Sequence, residues 1–255
     1  LNTSKKNQIK NIIQKYKPNK IFYFSGISSI PKSIKYKKQT LVSHFDGTKN
    51  FLEIIKKGKL DIKFYKANSG YIFSPKKGII DLNCKFSPNK NPYIQAQQKV
   101  FKLIKHYRKF GVNSSNLVFM QIESPLRSND FFIKKVCLGA KNKKKIVVGN
   151  LNNFRDYSWV TDVVKAIVLT SNLKCKDYII SAGKKLSGIE IIRTAYKLNK
   201  LNYKKYFSIN KKFFRKKENK FLTGSGKNSL YLRNKYNFRF NIFGKKLIKE
   251  MYKSL

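Results

Sequence analysis

Acidic side chains are scarce: 12 Asp and Glu stand against 57 Lys and Arg, a net charge of +45 over 255 residues. Such a surplus repels itself and draws in phosphate with a strong salt dependence. It invites a polyanion reading, nucleic acid or an acidic membrane surface. The lysines, however, run along the whole chain and form no basic arm, repeat or recognisable binding module. Lysine with Asn, Ile, Phe and Tyr is the residue set an AT-rich genome favours, so no specific nucleic-acid partner is expected. Cysteine is nearly absent. Cys84, Cys137 and Cys175 are odd in number, far apart and without a CxxC pair, which excludes a disulfide framework and favours a reducing compartment. Only His44 and His106 could join them as metal ligands, and no ligand spacing is visible, so no metal is expected. No apolar run approaches the ~20 residues of a membrane span, and the first residues do not resemble a signal peptide. These absences give a cytoplasmic expectation without membrane contact. The first residue is Leu1, not Met, as in a sequence that begins inside a gene or at an unusual start.

Hydrophobic residues make up 41%, enough to bury a core and exclude wholesale disorder. Helical spacing over Gln8–Tyr16 stops at Pro18, and Ile21–Phe24 reads as a buried strand ending in Ser25-Gly26. Leu41–Lys56 is helical and Ile62–Ala67 a strand ending in Asn68-Ser69-Gly70. There follow a helix Tyr93–Tyr107 after Pro92, a strand Asn116–Gln121, a helix Phe131–Leu138, a strand Lys145–Val148 and a helix Ser158–Leu169. This alternation predicts a parallel sheet covered on both faces. Beyond it lie a strand Asp177–Ser181, a helix Leu186–Leu198 with Ser187 and Glu190 spaced as a capping box, a basic loop Lys211–Lys220 and a final helix Asn241–Ser254.

Ligands of open parallel sheets sit beyond the carboxyl ends of the strands, here Ser25-Gly26, Asn68-Ser69-Gly70 and Gln121-Ile122-Glu123-Ser124. Ser69 at one such end and Tyr93 at the start of the next helix form a pair with chemical capacity. A phenol can exchange a proton with a substrate oxygen that a neighbouring hydroxyl orients, provided a nearby positive charge lowers its pKa. A turn serine and a helix-start tyrosine packed on the sheet would look the same from these two residues alone.

Longer segments carry more. Residues 21–28 (IFYFSGIS), 46–53 (DGTKNFLE), 64–73 (FYKANSGYIF), 91–93 (NPY), 121–127 (QIESPLR) and 149–157 (GNLNNFRDY), with Asp162 after them, resemble in order the segments of the GDP-mannose 4,6-dehydratase family of extended short-chain dehydrogenases/reductases. Phe214-Arg215 and Glu218 resemble part of its substrate loop. The combination of Glu123-Ser124-Pro125 with Gly149-Asn150-Leu151 and Arg155-Asp156 carries most of the specificity. The resemblance implies oxidation at sugar C4 through a bound nicotinamide, loss of water across C5 and C6, and return of hydride to C6. It places Ser69 and Tyr93 in the catalytic roles and Ser25, Gly26 and Ser28 at the cofactor. Gln121 falls beside the substrate, Arg127, Arg155 and Arg215 near the nucleotide and its phosphates, and Glu218 in the substrate loop.

The same resemblance exposes departures. Gln97 stands where the family has a lysine four residues after the tyrosine, and Lys99 lies on another helical face. Tyr71 stands where the family has the glutamate that deprotonates C5. No GxGxxG or GxxGxxG occurs in the sequence, and the first residues match the helix before the family's fourth strand. The expectation is therefore an α/β, Rossmann-type parallel sheet, N-terminally truncated, over 1–176, interleaved with substrate segments, and a smaller C-terminal α/β substrate lobe over 177–255. Its edge strand Ile21–Phe24 would be left open to a second copy or a complementing N-terminal chain. The expected function is that of a GDP-mannose dehydratase with NADP as cofactor, impaired or inactive in isolation. The alternatives are a non-catalytic nucleotide-sugar-binding homologue or subunit and, on charge alone, a nucleic-acid-binding protein.

Overall fold

The computed structural model describes residues 1–214 and 219–255. Among them the chain begins with α1 (Lys6–Tyr16), β1 (Lys20–Tyr23), α2 (Ile30–Lys35), α3 (Lys37–Leu41), a π-helical turn (Val42–Asp46), α4 (Gly47–Lys57) and β2 (Lys63–Ser69). It continues through β3 (Ile79–Ile80), α5 (Pro92–Lys109), β4 (Ser114–Phe119), β5 (Gln121–Glu123), α6 (Phe132–Lys141), β6 (Ile146–Val148), β7 (Phe154–Trp159), α7 (Val160–Ser171) and β8 (Tyr178–Ile180). The last elements are β9 (Lys185–Ser187), α8 (Gly188–Leu198), β10 (Phe207–Ile209), β11 (Phe221–Gly224), α9 (Lys227–Tyr236) and α10 (Gly244–Ser254).

Contacts group the chain into two units whose segments alternate in sequence. The first holds Leu1–Ser74, Leu82–Phe119 and Thr170–Tyr178; the second holds Pro75–Asp81, Met120–Leu169 and Ile179–Leu255. In the first, β1, β2 and β4 run parallel in the order β1–β2–β4, with β8, which starts in this unit at Tyr178, beyond β4. This is the expected Rossmann-like parallel sheet. One face carries alternate residues of β2 inward: Phe64 packs with Tyr23 and Phe51, and α1, α4 and α5 add Ile9, Ile13, Leu52, Ile55, Val100 and Ile104. The opposite face carries Tyr65, stacked on Phe22, with its hydroxyl donating to the Ser171 carbonyl at 2.8 Å. Arg108 at the end of α5 makes a bidentate pair with Asp177 at 2.9 Å, and the same carboxylate accepts from Asn116.

The second unit has a parallel sheet β3–β11–β7–β5, with β9 antiparallel to β7, and a separate parallel pair of β6 with β10. Its core lies among α6, α8 and α10, where Ile133, Val136, Ile191, Ile192, Tyr196, Leu247, Ile248 and Met251 are buried. The capping box at the start of α8 is formed as spaced: Ser187 Oγ accepts from Glu190 N–H and Glu190 returns to Ser187 N–H.

Two sequence readings change. The single strand read over Asn116–Gln121 is two strands: β4 ends at Phe119, and β5 pairs with β7 in the second unit. The strand at Lys145–Val148 pairs with β10, outside the main sheet. Strand β7 was not read at all. Its residues Arg155 and Asp156 are buried, and a strand that buries charge does not show an apolar pattern.

Candidate functional site

Strand β2 delivers Ser69 at its carboxyl end, where the chain turns into a 3₁₀ segment, Gly70–Ile72, and Ser69 Oγ accepts from Tyr71 N–H at 3.3 Å. Helix α5 delivers Tyr93. Asn91 caps it by accepting from Tyr93 N–H at 2.9 Å, and Pro92 at the first helical position fixes the entry. The two elements meet: the Ser69 and Gln97 side chains lie close enough to the Tyr93 hydroxyl to pull its pKa down. Gln97 is one helical turn along α5 and buried, and Asn68 Nδ2 locks its backbone by donating to the Gln97 carbonyl at 3.1 Å. Tyr71 lies close enough for its charge to be felt at Tyr93. Burial is the largest influence on the Tyr93 phenol and lifts it above its ordinary value; Ser69 and Gln97 pull the other way, and Tyr71 adds to the rise.

At the end of β1, Ser25 and Ser28 are exposed, while Gly26 is partly covered. Gly26 has φ +137°, and a Cβ there would fall 2.2 Å from His44 Cε1. The His44 ring thus rests against the Gly26 backbone, meets the Tyr93 ring edge-on at 5.7 Å and bonds the Ile27 carbonyl through Nε2 at 3.0 Å. Burial, reinforced by Lys66, lowers His44 to about 4. Lys66, three residues before Ser69, is fully buried, and burial alone lowers it to about 7. Sequence reasoning weighed His44 only as a metal ligand and passed over Lys66, one of two lysines in β2 of a very basic chain.

In the second unit, Gln121 opens β5 beside Tyr157 of β7. Arg127 does not stand free: its guanidinium donates to Glu123 Oε1 at 2.6 Å and to the Ile122 carbonyl at 2.8 Å, and stacks 3.5 Å from the Phe131 ring centre. Glu123 is buried, which raises its carboxyl to about 7 against the pull of Arg127. Arg155 is also buried, donating to the carbonyls of Phe154 and Lys220. Its neighbour Asp156, wholly buried, accepts from the backbone N–H groups of Gly183 and Gly224 and is raised to about 7 by burial. Asp162 accepts from Asn241 and Ile242 N–H groups at 2.7 Å each, fixing the segment before α10. Arg215 and Glu218 lie outside the described residues. Among the described residues, no group of three His, Cys, Asp or Glu side chains could hold a metal ion.

The family model described as GDP-mannose 4,6 dehydratase matches residues 2–251. The chain belongs to the GDP-mannose 4,6-dehydratase family. GDP-mannose 4,6 dehydratase 1 of Arabidopsis thaliana is 24% identical over 213 residues, which cover 79% of this chain and 59% of that protein. This chain therefore spans little more than half the length of that curated relative. The dTDP-glucose 4,6-dehydratase of Bacillus anthracis, solved with NAD, superimposes with a TM-score of 0.84 over all of this chain and 78% of its own, at 16% identity. RMD of Pseudomonas aeruginosa, solved with NADPH, gives a TM-score of 0.83 at 15% identity over all of this chain and 86% of its own. At such identities these two structures establish the fold.

Proposed function

We propose that this chain is a nucleotide-sugar dehydratase homologue that recognises GDP-mannose or a related GDP-sugar and, in isolation, converts it poorly or not at all. The observation that carries this reading is the set around Tyr93: a buried phenol with Ser69, Gln97, Tyr71 and the His44 ring beside it and no lysine at position 97. Ser69 is suited to orient a sugar hydroxyl and Tyr93 to exchange its proton. A phenol raised by burial offers little phenolate near neutral pH, and Tyr71 has no carboxylate with which to deprotonate carbon. A nicotinamide dinucleotide, which we take to be NADP, supplies the hydride acceptor and donor when bound. The exposed Ser25 and Ser28 and the side-chain-free Gly26 suit its nicotinamide end. Its phosphates want a glycine-rich turn at a helix start, and none occurs within the 255 residues.

On the substrate side, Gln121 and the arginines Arg127, Arg155 and Arg215, with Glu218, are the residues we assign to the nucleotide sugar. Arg127 and Arg155 each commit N–H groups to internal acceptors, so their part in phosphate binding is limited to what remains of each fork. A second reading, a non-catalytic nucleotide-sugar-binding subunit, is favoured by the same substitutions at 71 and 97. The partner we assign to the open edge of β1, where Phe22 and Phe24 are exposed, is a second copy or a complementing chain. We assign the protein to the cytoplasm; among the described residues no helix is long and apolar enough to cross a membrane, and no disulfide joins Cys84, Cys137 or Cys175. Saturation-transfer NMR with GDP-mannose tests the recognition. Contact that GDP displaces and free mannose does not is the expected result; no contact with GDP-mannose overturns the reading.

A further inference from the structure

Uncommon features converge on His44 in the first unit. It sits in the π-helical turn Val42–Asp46 that separates α3 from α4, a rare geometry that tends to mark functional positions. Its ring takes the space that a side chain at position 26 would need, and Gly26 holds a positive φ of +137° there. Nε2 faces the Ile27 carbonyl at 3.0 Å, so this nitrogen carries the proton and Nδ1 is left as an acceptor. That Nδ1 is buried and has no hydrogen-bond partner among the described residues. Protonating the ring would give Nδ1 a hydrogen but would bury a cation, and do so near Lys66, both of which disfavour it. The Tyr93 ring of α5 meets the His44 ring edge-on.

The backbone at His44 is pinned, and the ring is held by a single hydrogen bond. Thr48 Oγ donates to the His44 carbonyl at 2.6 Å, whereas the ring has one hydrogen bond and one unsatisfied acceptor that water would satisfy. The ring touches both Gly26, at the strand end assigned above to the nicotinamide, and Tyr93, assigned as the proton-exchanging phenol. We propose that His44 is a gate: its ring closes the space between Gly26 and Tyr93, and a nicotinamide-bearing ligand enters only when the ring turns out. This rests on the dinucleotide reading given above.

The test titrates NADPH fluorescence against the wild-type chain and the variants His44→Ala and His44→Asn, each checked for native circular dichroism. Opening the gate strengthens NADPH binding in His44→Ala by roughly tenfold, equivalent to about 1.4 kcal/mol, with His44→Asn between. Unchanged or weaker binding in a folded His44→Ala overturns the gate, and weaker binding would make His44 a ligand contact. A second measurement uses the unmodified chain, whose only histidines are His44 and His106. Saturating NADPH should move the His44 Cε1–H signal to that of an exposed imidazole and leave His106 in place; bound NADPH with an unmoved His44 signal contradicts the proposal. If GDP-mannose binds while NADPH binds neither wild type nor His44→Ala, the gate is wrong and the nucleotide-sugar reading stands. If neither ligand binds any form, both fail.

Discussion

The Lys66 ammonium lies 4.8 Å from the centre of the Tyr23 ring and donates to the Ala67 carbonyl at 3.0 Å, with no carboxylate paired to it among the described residues. A buried cation without a counter-charge is costly, and its pKa of about 7 in the fold sits well below the ~10.4 of an unfolded lysine. Between those values the unfolded chain binds more protons, so this group's contribution to stability rises with pH from about 7 to 10 and is flat, at its least favourable, below 7. Lys66→Met should therefore stabilise the first unit at pH 6 by a few kcal/mol, roughly 4 to 5 at the limit set by the shift, and flatten the rise above pH 7. Urea unfolding from pH 6 to 9.5 reads both effects. A destabilised Lys66→Met at pH 6 would mean that the ammonium has a partner the fold depends on.

Gly26→Ala meets the His44 ring and an unfavourable φ together. We expect a loss of about 2 to 4 kcal/mol from the two strains combined. In the double variant with His44→Ala the steric part disappears and the φ part remains, so the two substitutions are not additive. Additive losses in the double-mutant cycle would show that ring and glycine do not touch.

Arg127 and Glu123 form a pair in which the carboxylate is buried. Removing one partner leaves the other uncompensated, about 3 to 5 kcal/mol for a buried pair. Because the Glu123 carboxyl is already raised to about 7, it can take up a proton when Arg127 is lost. Folded above unfolded, a raised acid contributes stability fully below about 4.5 and loses it as pH climbs through 7. Arg127→Met should thus be tolerated at pH 5 and markedly less stable at pH 8, measured by thermal unfolding. Equal loss at both pH values would contradict the pairing.

The charge of +45 predicts weak DNA association that ignores sequence and falls linearly with the logarithm of salt. Fluorescence anisotropy with two unrelated duplexes at 50 and 200 mM salt checks it. A preferred sequence held tightly at the higher salt would restore the nucleic-acid reading.

What could be read from the sequence follows what the residues had to do. The helices at 6–16, 92–109 and 188–198 were legible because each combines an apolar face with a stop or cap: Pro18, Pro92 and the Ser187–Glu190 box. Strand β1 was legible as an apolar run and β2 by its place in the alternation, and the end of β2 with the start of the next helix pointed to Ser69 and Tyr93, which lie close together in the fold. Strand β7 was not legible, because Arg155 and Asp156 are satisfied by backbone groups of distant segments that no local pattern reveals. Interleaving was expected, but where the segments of the two units change over was hidden for a similar reason. Met120 looks like the interior of one strand, and only pairing partners divide β4 from β5. The π-turn and the packing of His44 on Gly26 arise from tertiary contacts alone.

The most direct measurement is conversion itself: purified chain, NADP and GDP-mannose, followed by mass spectrometry for loss of one water from the sugar nucleotide. The account predicts none for the wild type, and none after Gln97→Lys with Tyr71→Glu, because these restore the base and its cation but add no glycine-rich turn to hold a weakly bound dinucleotide in place for hydride transfer. Loss of water by the wild-type chain that vanishes in Tyr93→Phe would contradict it.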